Sequence, residues 1–465
     1  MDDSTYDFGT PGAARLDAYL NRIGATMRDK RTRASFAQYA LGLLTDGERK
    51  SVEPIAARCA GDDPRAAQRT HDNLLTFVTS EAWQDMPVRR VAIAEFQDAI
   101  SERGESIEVS IVDDTGFMKQ GRESPGVQRQ YTGTVGKIAN CQLGVSLTVA
   151  TKTQECPVDM KLYIPESWAD DRARCRKAKI PDSVVYRPKW SLALDMIRAA
   201  HKDGIPLGIV LGDSAYGDVS AFRTGLLVLG IDYALDVKVN TRVRVMGAKG
   251  AAKIQSVHTL AKSLSRATYR DVTWREGTKA KLSSRFARID VEVKHGALWI
   301  VHTLLIDWPD GQDAPEHYTL VRADRMRGMS TKELVRVVRQ RWRTERMYED
   351  AKGEFGLDHY EGRSYIGWNH HVTAVLCCYA FTISERSPHF SPSAEPHRSP
   401  RSNGREAGAP LRRLDDHGAT RDRTTRRAVA ASMSGMPSDV RPGRGRVAPL
   451  GREDRAGASR ITVPQ

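Results

Sequence analysis

From about Ala13 to Ile100, apolar positions recur every three or four residues, as in Leu16, Tyr19, Leu20 and Ile23 and again in Phe36, Tyr39 and Leu43. That period predicts a series of short helices. At Ser106 the period changes to two: Ile107, Val109 and Ile111 alternate with polar neighbours before Val112-Asp113-Asp114-Thr115-Gly116. The alternation predicts a strand that ends in carboxylates. A second strand is expected over Cys141–Ala150, and Trp190–Ala200 reads as an amphipathic helix. Ile205–Leu211 is almost wholly apolar, as a central strand covered on both faces is, and it too runs into a carboxylate, Asp213.

After a helix expected near Val219–Leu229, the stretch from about Tyr233 to Val321 carries short alternating runs, among them Ala287–Val293 and Trp299–Ile306. A β-rich insertion follows from this. Ser330 and Glu333 form the Ser-x-x-Glu capping-box pattern, which opens one long helix through about Glu354. Trp368–Thr382 is expected to be a buried apolar helix. Beyond Glu385, Pro, Ser, Gly, Ala and Arg dominate and no aromatic follows Phe390, so the tail is expected to be disordered.

The 465 residues exceed what one core usually organises, so two or three domains are expected, and 40% hydrophobic residues suit a globular protein. The formal charge of +13 fits a polyanionic partner. From Arg386 onward, however, the chain has 16 Arg, no Lys and 8 acidic residues, so +8 of that charge belongs to the tail. Within the helical region, the basic cluster Arg28–Arg33 and the pair Arg65 and Arg69 read equally as a DNA-contacting face or as an ordinary solvated one. The six cysteines show no CxxC spacing and are read as buried thiols in a reducing compartment. There is no signal-like N-terminus and no run of about 18 apolar residues, which predicts a cytoplasmic protein.

Three carboxylates stand out by position: Asp113 and Asp213 at expected strand ends and Glu345 in the long helix. Each has a plainer reading when taken alone, the two aspartates as turn residues and Glu345 as the partner of Arg341 in a surface ion pair. Together they can converge, because in a mixed sheet of the ribonuclease H type two strand ends and a packed helix meet at one edge. Carboxylates held that close repel one another. Two divalent ions about 3.5–4 Å apart would relieve the repulsion and serve phosphoryl transfer, and Mg²⁺ or Mn²⁺ suits hard oxygen ligands. At about 100° per residue, Arg341, Glu345 and Lys352 share one helix face.

These motifs resemble those of the DDE transposases of bacterial insertion sequences, in the IS-four and IS-seven-hundred-one groups. The motif of that family on its last helix is Tyr, two residues, Arg, three residues, Glu, six residues, Lys. Arg341, Glu345 and Lys352 stand at those intervals, with Val338 in place of the Tyr. Asp113-Asp114-Thr115 matches the Asp-x-Thr of the family's first carboxylate, with Asp114 as the alternative to Asp113, and Asp213 with Tyr216-Gly217 matches the second. Gly356–Ser364 looks like the segment that follows the helix in the second group.

The resemblance implies an α/β fold with a ribonuclease H-like core, a β-rich insertion at about 237–325 and a small helical domain in front. The implied organisation is a DNA-contacting domain at 1–100, a catalytic domain at 101–382 and a tail at 383–465. It further implies Asp113, Asp213 and Glu345 as catalytic metal ligands for two Mg²⁺ or Mn²⁺ ions, and Arg341 and Lys352 as contacts to DNA phosphate. The partners would be DNA, as element ends and target, and a second copy of the chain. With Val338, a phenolic contact at that position is lost. The alternatives are a catalytically impaired DNA-binding remnant and a ribonuclease H-fold nuclease without strand transfer. Gly247–Lys253 lacks the Gly-Lys-Ser/Thr ending of a phosphate loop. His370, His371, Cys377 and Cys378 are expected in the core and not on zinc. Trp190, Trp274, Trp342 and Trp368 are read as core or interface residues before base-stacking ones.

Overall fold

The computed structural model describes residues 10–245, 253–276, 281–322 and 328–386. Five helices come first: α1 (Thr10–Gly24), α2 (Lys30–Leu44), α3 (Val52–Ala60), α4 (Pro64–Thr79) and α5 (Asp85–Glu102). Their starts follow capping chemistry. The Asp29 side chain accepts the Thr32 N–H at the head of α2, and Asp63 accepts that of Arg65 just ahead of Pro64 in α4. The basic clusters lie on exposed positions here. Arg31 donates to Asn73, Arg33 to the Met27 carbonyl, and Arg69 lies 3.9 Å from Asp63.

Next come β1 (Val109–Met118), β2 (Gln128–Thr132), β3 (Lys137–Ala150) and β4 (Glu155–Leu162), then the short α6 (Glu166–Ala169) and α7 (Arg172–Lys177), and α8 (Lys189–Lys202). Strand β5 (Ile209–Gly212) leads through α9 (Ser214–Gly217) and α10 (Ser220–Val228) to β6 (Tyr233–Asp236). Then follow β7 (Arg242–Val245), β8 (Ile254–Ser256), α11 (Val257–Ser263), β9 (Arg270–Glu276), β10 (Lys281–His295), β11 (Leu298–Trp308) and β12 (His317–Arg322). The last described elements are α12 (Thr331–Val338), a 3-10 turn at Arg339–Arg341, α13 (Trp342–Phe355) and α14 (Tyr365–Ser384). None of the described helices is long and apolar enough to cross a membrane.

The fold is α/β, with the strands in one mixed sheet of order β2-β3-β1-β5-β6-β12-β11-β10-β7-β8, in which β4 also pairs with β3 and β9 with β10. In the stretch β4-β3-β1-β5-β6, the strands β1, β5 and β6 are parallel, and β3 runs antiparallel to both its neighbours. The β-rich region extends this sheet, because β12 returns to pair with β6. Its longest hairpin, β10–β11, turns on Gly296 at φ 58°, a left-handed position that suits glycine in a two-residue turn.

Around β1, β5 and β6 each face of the sheet is covered. Val112, Val145, Val210 and Leu235 pack with α5, α8 and α14 in a core that also takes in the apolar faces of α1–α4. The N-terminal helices therefore share a core with the sheet. On the other face, Val109, Ile111, Ile209 and Leu211 meet Leu334, Val335 and Val337 of α12. A third cluster joins α11 to the extended part of the sheet. Helix α14 is buried along almost its whole length, and five of the six free cysteines are buried, with Cys59 half-buried. His370 and His371 are core residues: His370 stacks on Trp83, and His371 bonds Tyr39 and the Gly356 carbonyl.

Two expectations are corrected. Strand β1 does not end at its carboxylates but continues to Met118, because β3 satisfies its backbone through Met118↔Cys141. What ends at Val112 is the parallel pairing with β5, which itself spans Ile209–Gly212 and not Ile205–Leu211. Second, the capping box at Ser330 and Glu333 forms, but the helix it opens stops at Val338 and α13 begins only after the 3-10 turn. Polar side chains around the break are drawn to different sides. Arg336 and Gln340 hold Glu108, Arg339 holds Asp307, and Arg343 holds Glu155.

The start of the β1–β5 pairing depends on one glycine. Gly208 has φ +62°, and a Cβ there would stand 2.2 Å from the Glu108 carbonyl oxygen. The expected result for Gly208→Ala is a loss of about 1–3 kcal/mol from a strained left-handed residue and the displaced strand start. Urea unfolding measures it, and an unchanged midpoint would refute the close approach.

Candidate active site

The register of the parallel strands lines up three aspartates. Val112 pairs with Gly212 as the last β1–β5 pair, and Gly212 with Leu235 as the last β5–β6 pair. The next residue of each strand is Asp113, Asp213 or Asp236. Crevices outside the carboxyl ends of parallel strands are where open α/β sheets commonly bind ligands.

Alternation along β1 then separates the two neighbouring carboxylates. Asp113 lies on the face that α13 covers, since its cross-strand partner Ser146 bonds the Tyr348 hydroxyl and Thr148 lies 3.3 Å from Thr344. Asp114 points to the other face, where Lys189 at the head of α8 forms an ion pair with it at 2.7 Å.

Arg341, the residue that leads into α13, is the hub on the first face. Its Nη1 lies 3.9 Å from Asp113 and 3.9 Å from Glu345, and its Nε lies 4.0 Å from Asp236. Burial disfavours its charge, but Asp113, Asp236, Glu345 and Asp213 outweigh that and raise its pKa. Asp213 caps α9 by accepting the Ala215 N–H at 2.9 Å, and Asp236 accepts the Thr319 hydroxyl at 2.6 Å. Glu345 is the open member, with 54% of its side chain exposed.

Burial pushes the Asp113 carboxyl up to about 7, with Asp114 and Asp213 adding to the rise and Arg341 opposing it. Asp213 is raised too, first by burial, with Arg341 again opposing. Beside them the fully buried Tyr216 hydroxyl has no hydrogen-bond partner among the described residues. Burial, then Asp114 and Asp113, hold that phenol well above its usual range. A buried donor without a partner next to acidic groups leaves polar capacity for something the protein itself does not supply.

Of the expected site residues, Asp113, Asp213, Arg341 and Glu345 thus gather at one place. Lys352 lies farther along β1, donating to Thr115 Oγ1 at 2.7 Å and to the Gly116 carbonyl at 2.9 Å, with its pKa lowered by burial. Among the described residues, no three His, Cys, Asp or Glu side chains stand close enough to hold one ion together. The Arg341 guanidinium stands between Asp113 and Glu345 instead. Val338, where the family motif has Tyr, is a half-buried residue packed against the α12 core.

Sequence reasoning missed Asp236, although the signal was present: Tyr233-Ala234-Leu235-Asp236 is a short apolar run ending in a carboxylate, as is Ile209–Asp213. It also missed Lys189 as the partner of Asp114. The tryptophans fall largely into structural roles. Trp368 is buried, the half-buried Trp274 and Trp342 lie under Arg339 and Arg275, and Trp190 packs against the main core. Gly247–Ala252 and the tail beyond Arg386 lie outside the described residues.

Residues 22–281 match the family of DDE superfamily endonucleases, and the chain belongs to that family. The matched residues include Asp113, Asp213 and Asp236 and end before Glu345. Among curated proteins, it is similar to one described as "Probable transposase for insertion sequence element IS701" from Microchaete diplosiphon, with 24% identity over 237 residues. The similarity covers 51% of this chain and 57% of that relative's length.

Proposed function

We propose that this chain is a metal-dependent DNA transposase, which cuts phosphodiester bonds at the ends of its insertion sequence and joins the freed 3′ ends to target DNA. The observation that carries this reading is the register that sets Asp113 beside Asp213 where the β1–β5 pairing ends, facing Arg341 and Glu345 at the head of α13. The strand order β4-β3-β1-β5-β6, with β3 alone reversed, supports a ribonuclease H-like core within 101–382. Residues 1–100 would contact DNA. A pair of chains would hold the two ends, and the protein would act at the nucleoid.

Asp113 and Asp213 offer the hard oxygen donors that Mg²⁺ or Mn²⁺ prefers, and their raised pKa values together with the orphaned Tyr216 hydroxyl fit a site completed by cations. Glu345 would complete the set. Two such ions would acidify the attacking water or 3′-hydroxyl and stabilise the departing oxygen. The protein's own share is positional. Arg341 would turn from the carboxylates to a phosphate oxygen, and Asp236 would hold the guanidinium at the edge of the groove. Lys352, braced on Thr115, would give a fixed positive charge beside β1.

The test is incubation of the protein and of Glu345→Gln with DNA carrying the element's termini, in Mg²⁺ or Mn²⁺. The expected result is binding by both and nicking by the unaltered protein only, a loss of about 10³-fold or more in the variant. If both bind and neither nicks, the chain is a DNA-binding remnant and the enzyme reading fails.

A further inference from the structure

The hairpin of β2 and β3 rises from the sheet next to Lys352 and presents an uncovered surface. Tyr131 and Ile138 are cross-strand partners on it, 64% and 59% exposed. Arg129 lies on the same face two residues before Tyr131, and the exposed Lys137, which pairs with Thr132, stands beside that face at the turn end of the hairpin. Exposed apolar side chains placed directly across a hairpin, with basic neighbours, mark a contact surface more than a solvated one.

Its charge is one-sided. From Ser124 to Gln154 there is no Asp or Glu, and the charged residues of the hairpin itself are Arg129 and Lys137. The hairpin is also fixed to the candidate site. Thr134 Oγ1 accepts the Gly116 N–H at 3.0 Å and lies 3.5 Å from Thr115 Oγ1, the atom that receives Lys352. Gly116 is what allows the approach, since a Cβ there would meet Thr132 Oγ1 at 2.1 Å. Along β1 the order is therefore Asp113, then Thr115 with Lys352, then the hairpin.

We infer that the β2–β3 hairpin is a DNA-docking surface that holds the strand next to the cleaved phosphate, with Arg129 and Lys137 on phosphates and Tyr131 and Ile138 against sugar and base. This rests on the transposase reading above and adds the surface that aligns the substrate. A polyanion is the occupant that the acid-free, cationic character of the span selects, and aromatic contact to sugar and base is tolerant of sequence. A second copy of this chain would instead have to present a complementary acidic face.

The test measures binding of the full chain, in EDTA, to a labelled duplex from the DNA flanking its coding sequence, over a series of salt concentrations. The double variant Arg129→Ala/Lys137→Ala is expected to flatten the dependence of log affinity on log salt by about 2, at about 0.9 per phosphate contact. Tyr131→Ala is expected to weaken binding about 10-fold with the salt slope unchanged. Circular dichroism and sedimentation of the DNA-free variants should match the unaltered protein. Variants that bind with unaltered affinity and slope would overturn the inference and leave the transposase reading in place. Loss of self-association with unaltered affinity would overturn it in favour of an interface between copies. No binding by the unaltered chain would overturn both.

Discussion

Asp113→Asn is expected to bind DNA yet nick it about 10³-fold or more slowly, and in EDTA above pH 7 to be more stable than the unaltered protein. The two effects have one origin. Asp113 is 17% exposed, lies beside Asp213 and is held at about 7, against 3.8 for the free side chain. The folded state thus favours the protonated carboxyl. Below about pH 4 the group is protonated folded or unfolded, and its ionisation costs nothing. As pH rises through the window from about 4 to about 7, the unfolded chain releases the proton first, so stability falls, and above 7 the deficit is constant. At about 1.4 kcal/mol per pH unit the full difference is on the order of 4 kcal/mol. Asparagine cannot ionise and escapes it. Urea unfolding at pH 4 and pH 8 measures the effect, which should be small at the first and near its maximum at the second. A variant less stable than the unaltered protein at pH 8 would show that Arg341 offsets the burial of Asp113 more fully than its 3.9 Å separation implies.

On the proposed reading, saturating Mg²⁺ should narrow that gap at pH 8, because an ion held by the ionised carboxylates would stabilise the folded unaltered protein more than the variant, which lacks one of them. On the reading proposed above, stability at this site is traded for a charge arrangement that a cation and a phosphate would complete.

The parts of this arrangement that were legible in the sequence are those that depend on local pattern. Asp213 was found from an apolar run ending in a carboxylate, and the Ser330 cap from four residues. The pairing of strands is a long-range matter, and there local reading fell short. Nothing around Asp113 announces that β3 carries β1 on to Met118, because the partner lies beyond Asp113 in the chain and acts through backbone bonds. Asp236 went unnoticed because β6 has four residues and merges into the β-rich region, so only its pairing with β5 reveals it as a third parallel strand end. Helical arithmetic put Arg341 on the stripe of Glu345 and Lys352. The 3.9 Å contact to Glu345 agrees, but with the 3-10 turn at Arg339–Arg341 the Arg341 side chain reaches Asp113 and Asp236 as well.

Arg343→Met is expected to lower stability by about 3–5 kcal/mol, because it removes one member of a buried ion pair and leaves the other. Arg343 and Glu155 are 9% and 6% exposed and 3.1 Å apart, and Arg343 also donates to the Lys152 carbonyl. The pair ties the first turn of α13 to the head of β4, two residues before Glu345, so its loss should loosen the helix that positions that carboxylate. Burial already raises the Glu155 pKa, with Arg343 the main opposing charge. Without Arg343 the carboxyl rises further, so acidification toward pH 5 should restore part of the variant's stability as Glu155 takes up a proton. Arg343→Met/Glu155→Leu separates charge from packing. If the uncompensated carboxylate is the cause, the double variant regains most of the loss, since apolar replacement of a whole buried pair is often neutral or stabilising. A double variant as unstable as the single one would assign the loss to the missing Lys152 contact, and α13 would then be anchored by that backbone bond.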